Sequence, residues 1–140
     1  MTNEEVLKII EEAKRDGRTR LDLSRKGLMS LPPEIGQLTS LQTLRLNGNQ
    51  LRVLPPEIGQ LRNLEELSLS DNMLRSIPAE TWQLAKLDVL RISGNQLKTI
   101  SPEIRQLTNL KILWLHNNEL ISVPPTIGPT LSRLVFIFWN

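Results

Sequence analysis

Apolar residues along most of this chain follow neither a steady alternation nor a long helical stripe. Instead a short strand-like pattern returns at a fixed interval. Residues 41–51 read LQTLRLNGNQL, and the same order comes back as LEELSLSDNML at 64–74, LDVLRISGNQL at 87–97 and LKILWLHNNEL at 110–120, a period of 23 residues. Within each copy the L-x-L stretch alternates, as an extended strand does. Leu44 and Leu46 therefore face one side, and Thr43, Arg45 and Asn47 face the other. The second half of the unit repeats too, as LPPEIGQL at 31–38 and 54–61, IPAETWQL at 77–84, ISPEIRQL at 100–107 and a degenerate copy from Val123. Its prolines fix φ and disfavour a long helix just before each EIxQL segment. That predicts an extended segment or a single helical turn per repeat.

One such unit cannot bury its own apolar side, so neighbouring units must stack. The stack predicts a parallel sheet advancing about 4.8 Å per repeat over a continuous leucine core. An earlier copy, LDLSRKGL at 21–28, carries Lys26 where Asn49, Asn72, Asn95 and Asn118 stand later, and reads as an atypical first repeat. The Asn column falls where the chain must turn. A carboxamide offers donors and acceptors to the backbone groups that a turn frees, so these four residues are expected to form a structural ladder.

The pattern L-x-x-L-x-L-x-x-N-x-L resembles the leucine-rich repeat, and LPPEIGQL is similar to the LPxxIxxL phrase of its 23-residue kind. The resemblance covers residues 21 to about 128. Repeats of this kind occur in plant intracellular Ras-group-related proteins, in animal Ras-binding scaffolds and in bacterial proteins, including arrays that precede Roco GTPase domains. The leader EEVLKIIEEAKRDGRTRLDLSRKGLMSLP is most similar to bacterial, cyanobacterial-type members. What the resemblance implies is an α/β solenoid, a horseshoe segment of about five repeats with a parallel concave sheet. It also implies protein binding, often in signalling or host interaction, without naming the partner. The GTPase portion of Roco proteins and the cysteine-dependent ligase portion of some bacterial effectors have no counterpart here, so neither activity carries over.

A solenoid exposes core at both ends unless something covers it. Residues 1–19 are expected to cap the first repeat with a helix. Thr2 and Glu5 fit a capping box, Val6, Ile10 and Ala13 recur at helical spacing, and Gly17 fits a stop. The repeats then span 20–128, and 129–140 form a degenerate last repeat or cap. There the stretch TIGPTLSRL is one residue longer than its counterpart EIRQLTNL, and the register of the final VFIFWN is open. Counting by 23 makes Phe136 and Phe138 the inward pair; a shift of one makes it Ile137 and Trp139. Such an apolar edge can fold over as a cap, mark where a longer array was cut, or meet a second copy of the chain. Phe136, Phe138 and Trp139 are therefore the candidates for homodimer formation.

Composition narrows the chemistry. At 140 residues the chain is one domain, and 27 of these are leucine. The absence of cysteine removes disulfides, thiolate metal sites and cysteine nucleophiles. A single histidine, His116, argues against a histidine metal site or a catalytic triad. No phosphate loop or nucleophile elbow is present, so the expectation is a non-enzymatic protein without cofactor or metal. With 17 Lys and Arg against 15 Asp and Glu the charge surplus is small, and nucleic acid is not expected as a partner. Neither a signal-like leader nor a membrane-length apolar stretch stands out, which predicts a cytoplasmic location and no membrane partner.

The outward strand positions form three columns. The first is Arg20, Thr43, Glu66, Val89, Ile112; the second is Asp22, Arg45, Ser68, Arg91, Trp114; the third is Ser24, Asn47, Ser70, Ser93, His116. Early repeats present small, polar and charged residues. Later ones present Val89, Ile112 and Trp114 rimmed by Arg91 and His116, an apolar and aromatic patch of the residue types enriched at binding hot spots. The candidate protein-binding residues are therefore Arg45, Val89, Arg91, Ile112, Trp114 and His116. On the opposite side, Trp82 is expected to fill space left by Thr81, and Glu34, Glu57, Glu80 and Glu103 to form a solvated column.

Overall fold

The structure, a computed structural model, describes residues 1–132, 134 and 136–138. It opens with helix α1 (Asn3–Arg15). The Thr2 hydroxyl accepts from the Glu5 N–H at 3.2 Å, and the Glu5 carboxylate accepts from the Thr2 N–H at 3.3 Å. Two donors left open by the first turn are thereby satisfied. Val6, Ile10 and Ala13 are buried and join the leucine core, so the helix closes one end of the stack.

Six three-residue strands follow: β1 (Arg20–Asp22), β2 (Thr43–Arg45), β3 (Glu66–Ser68), β4 (Val89–Arg91), β5 (Ile112–Trp114) and β6 (Phe136–Phe138). They form one parallel sheet in chain order. Leu21, Leu44, Leu67, Leu90 and Leu113 pair in register and are buried, which is the stacked core that the 23-residue period implies. On the other side of the stack the chain makes 3-10 helices at Pro33–Gln37, Pro56–Gln60, Ala79–Gln83 and Pro102–Gln106. A shorter one at Pro125–Ile127 leads into α2 (Gly128–Ser132). One tight turn per repeat is what proline at the start permits.

The asparagines tie consecutive repeats together. Asn72 Nδ2 donates to the Leu69 carbonyl of its own repeat at 3.0 Å and to the Leu46 carbonyl of the preceding one at 2.9 Å, while its Oδ1 accepts from the Leu51 N–H at 3.0 Å. Asn49, Asn95 and Asn118 repeat the arrangement with the same offsets. Buried backbone groups at the turn are thus paired without water.

The register left open for the last strand is fixed by the structure, and the expectation of a solvated acidic column needs correction. The spacing of the last strand is 24 residues, because Ile112, Leu113 and Trp114 pair with Phe136, Ile137 and Phe138. The extra residue shifts the phase by one, the second of the two registers the sequence allows, so Ile137 takes the inward register position of Leu113 and Phe136 and Phe138 pair with the outward Ile112 and Trp114. Trp139 lies outside the described residues. On the helical side, Trp82 stands in the sequence column of Gly36 and Gly59 and is buried in the core, next to the fully buried Thr81. The acidic column there is not uniformly solvated, since Oε2 of both Glu57 and Glu80 is shut off from solvent.

Candidate functional site

Strand register fixes which outward residues meet. Each step along the chain by 23 residues moves a side chain sideways by one strand, so Glu66 of the first column stands diagonally between Arg45 and Arg91 of the second. Its Oε2 lies 3.7 Å from Arg45 Nη2, and its Oε1 pairs with Arg91 Nη1. Arg91 also donates from Nη1 to Ser68 Oγ at 3.1 Å, and Ser68 is buried. The Arg91 guanidinium carbon then lies 4.8 Å from the centroid of the Trp114 ring, and that ring is 6.1 Å from His116 at an interplanar angle of 51°. A planar guanidinium allows this double use, with its edge serving the carboxylate and hydroxyl and its face the ring.

The row Arg45, Glu66, Arg91, Trp114, His116 therefore crosses four strands without a break. Val89 and Ile112, in the column beside it, are half-buried, so the apolar patch is flatter and smaller than free side chains would make it. Sequence reasoning brought Arg45, Val89, Arg91, Ile112, Trp114 and His116 to one face, and the structure places all six there. It missed Glu66 and Ser68. The signal was available: opposite charges one repeat apart in adjacent columns are neighbours across a parallel sheet.

The third column has a different character. The Asn47 N–H donates to Ser24 Oγ at 3.2 Å, the Ser70 N–H donates to Asn47 Oδ1 at 2.9 Å, and the Ser70 and Ser93 hydroxyls share a hydrogen bond of 2.9 Å. These side chains satisfy the ends of the strands. At the amino-terminal end of the same face a hollow of about 500 Å³ is bounded by Asp22, Arg25, Lys26 and Arg45. The Ser24 N–H, donating to Asp22 Oδ1 at 2.9 Å, holds the Asp22 carboxyl below the usual carboxylate value; the Ser24 hydroxyl and the Arg45 and Lys26 charges act in the same direction. Among the described residues no three acidic or histidine side chains converge as metal ligands. Nor is any described helix long and apolar enough to cross a membrane.

This arrangement of one strand, one asparagine and one tight turn per repeat has clear relatives. The model of the leucine-rich repeat region matches residues 19–123, and the chain belongs to that family. A leucine-rich repeat protein soc-2 homolog of Nematostella vectensis is 44% identical over 47 residues, which is 34% of this chain and 8% of that protein. Among solved structures, a leucine-rich repeat protein of Leptospira interrogans is 35% identical with a TM-score of 0.71, covering 94% of this chain and 39% of that one. The ectodomain of the Arabidopsis thaliana receptor kinase SOBIR1 is 31% identical with a TM-score of 0.73, covering 85% of this chain and 67% of its own. The ectodomain of the receptor kinase GASSHO1/SCHENGEN3 from the same plant, solved with CASPARIAN STRIP INTEGRITY FACTOR 2, is 36% identical with a TM-score of 0.76, covering 89% and 16%. This chain therefore spans less than a tenth of the soc-2 homolog and about two fifths of the Leptospira protein. The fold they share serves typically as a protein–protein interaction module.

Proposed function

We infer that this chain is a non-enzymatic recognition module that binds a protein or peptide on its sheet face, centred on Arg91, Ile112, Trp114 and His116 and flanked by Arg45 and Val89. The observation that carries the reading is the fixed placement of Arg91 over Trp114. Glu66 and Ser68 hold the guanidinium before any partner arrives, so less side-chain freedom is lost on binding. Aromatic and arginine side chains set in this way are the usual anchors of an interface. A receptor ectodomain of the same fold was solved with a bound factor, which supports recognition as the use of such a scaffold.

The test is selection of binders from a phage-displayed random peptide library, followed by affinity measurement with the recovered peptides. Trp114→Ala is expected to weaken binding by about 2 kcal/mol, roughly thirtyfold. Unchanged affinity in both Trp114→Ala and Arg91→Ala would remove the site from this face.

A second reading is self-association through β6. Among the described residues β6 ends the sheet, with β5 on one side only, and its sequence is Phe-Ile-Phe. An apolar edge of this kind invites a second strand. Sedimentation equilibrium of the full chain and of a chain ending before Val135 decides it. A dimer that truncation converts to a folded monomer supports the reading, and a concentration-independent full-length monomer rejects it.

A further inference from the structure

Beside the sheet, where each repeat leaves its asparagine turn and heads for the 3-10 helix, the residue after the last leucine of the strand half forms another column: Met29, Arg52, Arg75, Lys98, Ile121. Its three central members are exposed cations, and among the described residues none of the three takes part in an ion pair. Its two ends are apolar and open to solvent, Met29 at 71% and Ile121 at 81% exposure. Val53, beside Arg52, is 66% exposed. Of the large apolar side chains exposed among the described residues, all but Met1 stand on this one edge. Scattered exposed apolar residues are ordinary, but their concentration around a cationic row is not.

The edge is also hollowed. A depression of about 470 Å³ lies among Arg52, Val53, Met73 and Arg75, and a second of about 480 Å³ among Arg75, Lys98 and Glu119. They adjoin at Arg75 and Gln96, which line both, and Arg75 Nε donates to Gln96 Oε1 at 3.4 Å. The result is one shallow trough lined by Arg52, Arg75 and Lys98 with Glu119 beside them, and Met29 and Ile121 stand one repeat beyond its outer cations.

We propose that this trough is a second docking surface, distinct from the sheet face, and that its occupant is an extended acidic segment of a partner protein in which about three carboxylates are flanked by large apolar side chains. Spacing sets the length. Successive cations are one repeat, about 5 Å, apart, so the outer two stand about 10 Å apart, the distance from the first to the fourth residue of an extended segment at about 3.3 Å each. Three carboxylates on flexible side chains fall within that stretch. Met29 and Ile121 then receive the flanking apolar side chains. A nucleic acid fits worse. Three cations are a small phosphate footprint, and exposed Val53 and half-buried Met73 offer nothing to a phosphate backbone.

The experiment uses the full chain and a fluorescein-labelled synthetic peptide with three central glutamates flanked on each side by leucine. A matched peptide with glutamines and a single-stranded oligothymidine serve as competitors. The expected result is anisotropy-detected binding that weakens with added salt. It also weakens about tenfold both in Arg52→Gln/Arg75→Gln/Lys98→Gln and with the glutamine peptide, while Trp114→Ala leaves it unchanged. All three substitutions are at exposed positions, and circular dichroism checks that the variant is folded. Equal binding to the triple variant, or no binding up to millimolar peptide, overturns the proposal. Tighter binding of oligothymidine than of the acidic peptide overturns it in favour of phosphate. Loss of binding in Trp114→Ala but not in the triple variant moves the peptide to the sheet face, sinking this proposal and leaving the earlier one intact.

Discussion

Arg91 lies with its guanidinium carbon 4.8 Å from the centre of the Trp114 ring, one strand away, and Glu66 on the opposite side holds it there. Removing the carboxylate should therefore disturb an aromatic contact that Glu66 itself does not make. Glu66→Ala is expected to cost about 1–2 kcal/mol in urea unfolding, since two partly buried arginines lose a shared charge partner. Glu66→Gln should cost less, because the amide oxygen still accepts a hydrogen bond. A double-mutant cycle between positions 66 and 114 is expected to give a nonzero coupling, and additive effects would break the proposed linkage.

The asparagine ladder makes a stability prediction that does not depend on function. Asn72→Ala leaves the Leu51 N–H buried without its acceptor and takes one of two amide donors from the carbonyls of Leu46 and Leu69, which keep Asn49 and Asn95. A loss of about 2 kcal/mol is expected. Asn118 makes the same bonds but is half-buried, so water can replace part of what is lost and Asn118→Ala should cost clearly less. Chemical denaturation of the two variants side by side decides the order.

Packing on the helical side sets a second pair of expectations. A Cβ added at Gly59 would sit 2.7 Å from the Glu80 carbonyl oxygen, and a backbone atom cannot swing aside as a side-chain tip can. Gly59→Ala should cost about 1–3 kcal/mol. At Gly128 an added Cβ would meet nothing within 4 Å, and φ is −50°, so Gly128→Ala should be neutral or slightly stabilising.

Asp22 supplies a pH dependence with a definite sign. Its carboxyl is held below the usual value by the Ser24 N–H, so near the ordinary titration the unfolded chain binds the proton more readily. The stabilisation is complete above about pH 5 and is lost as pH falls below about 4 and through the lowered folded value. Wild type should accordingly lose its advantage over Asp22→Asn on acidification. The effect is small because the group is exposed, and NMR titration of the carboxyl measures it directly.

The 23-residue period exposed the solenoid, the strand register and the asparagine column in the sequence because each depends on residues that recur in every repeat. The pattern is least informative where one repeat departs from the others. One extra residue before β6 moved Phe136 and Phe138 into outward register positions, and periodicity alone could not say whether the insertion would be absorbed by the turn or by the strand. Trp82 also breaks the column of Gly36 and Gly59, and it is buried in the core beside the short Thr81. In the candidate site, the face and its six residues were legible from alternation. The pairing of Glu66 with both arginines is less legible, since it runs diagonally between columns and no single column displays it.

The central claim is that a partner's segment lies across the sheet face and against Arg91 and Trp114. The most direct measurement is amide chemical-shift mapping of the isotope-labelled chain with a library-selected peptide, repeated on Trp114→Ala. The account predicts shifts concentrated on β3, β4 and β5 around Glu66, Arg91 and Trp114, largely abolished in the variant at the same peptide concentration. Shifts confined to the 3-10 helices or to α1, or a pattern that Trp114→Ala leaves intact, would contradict it.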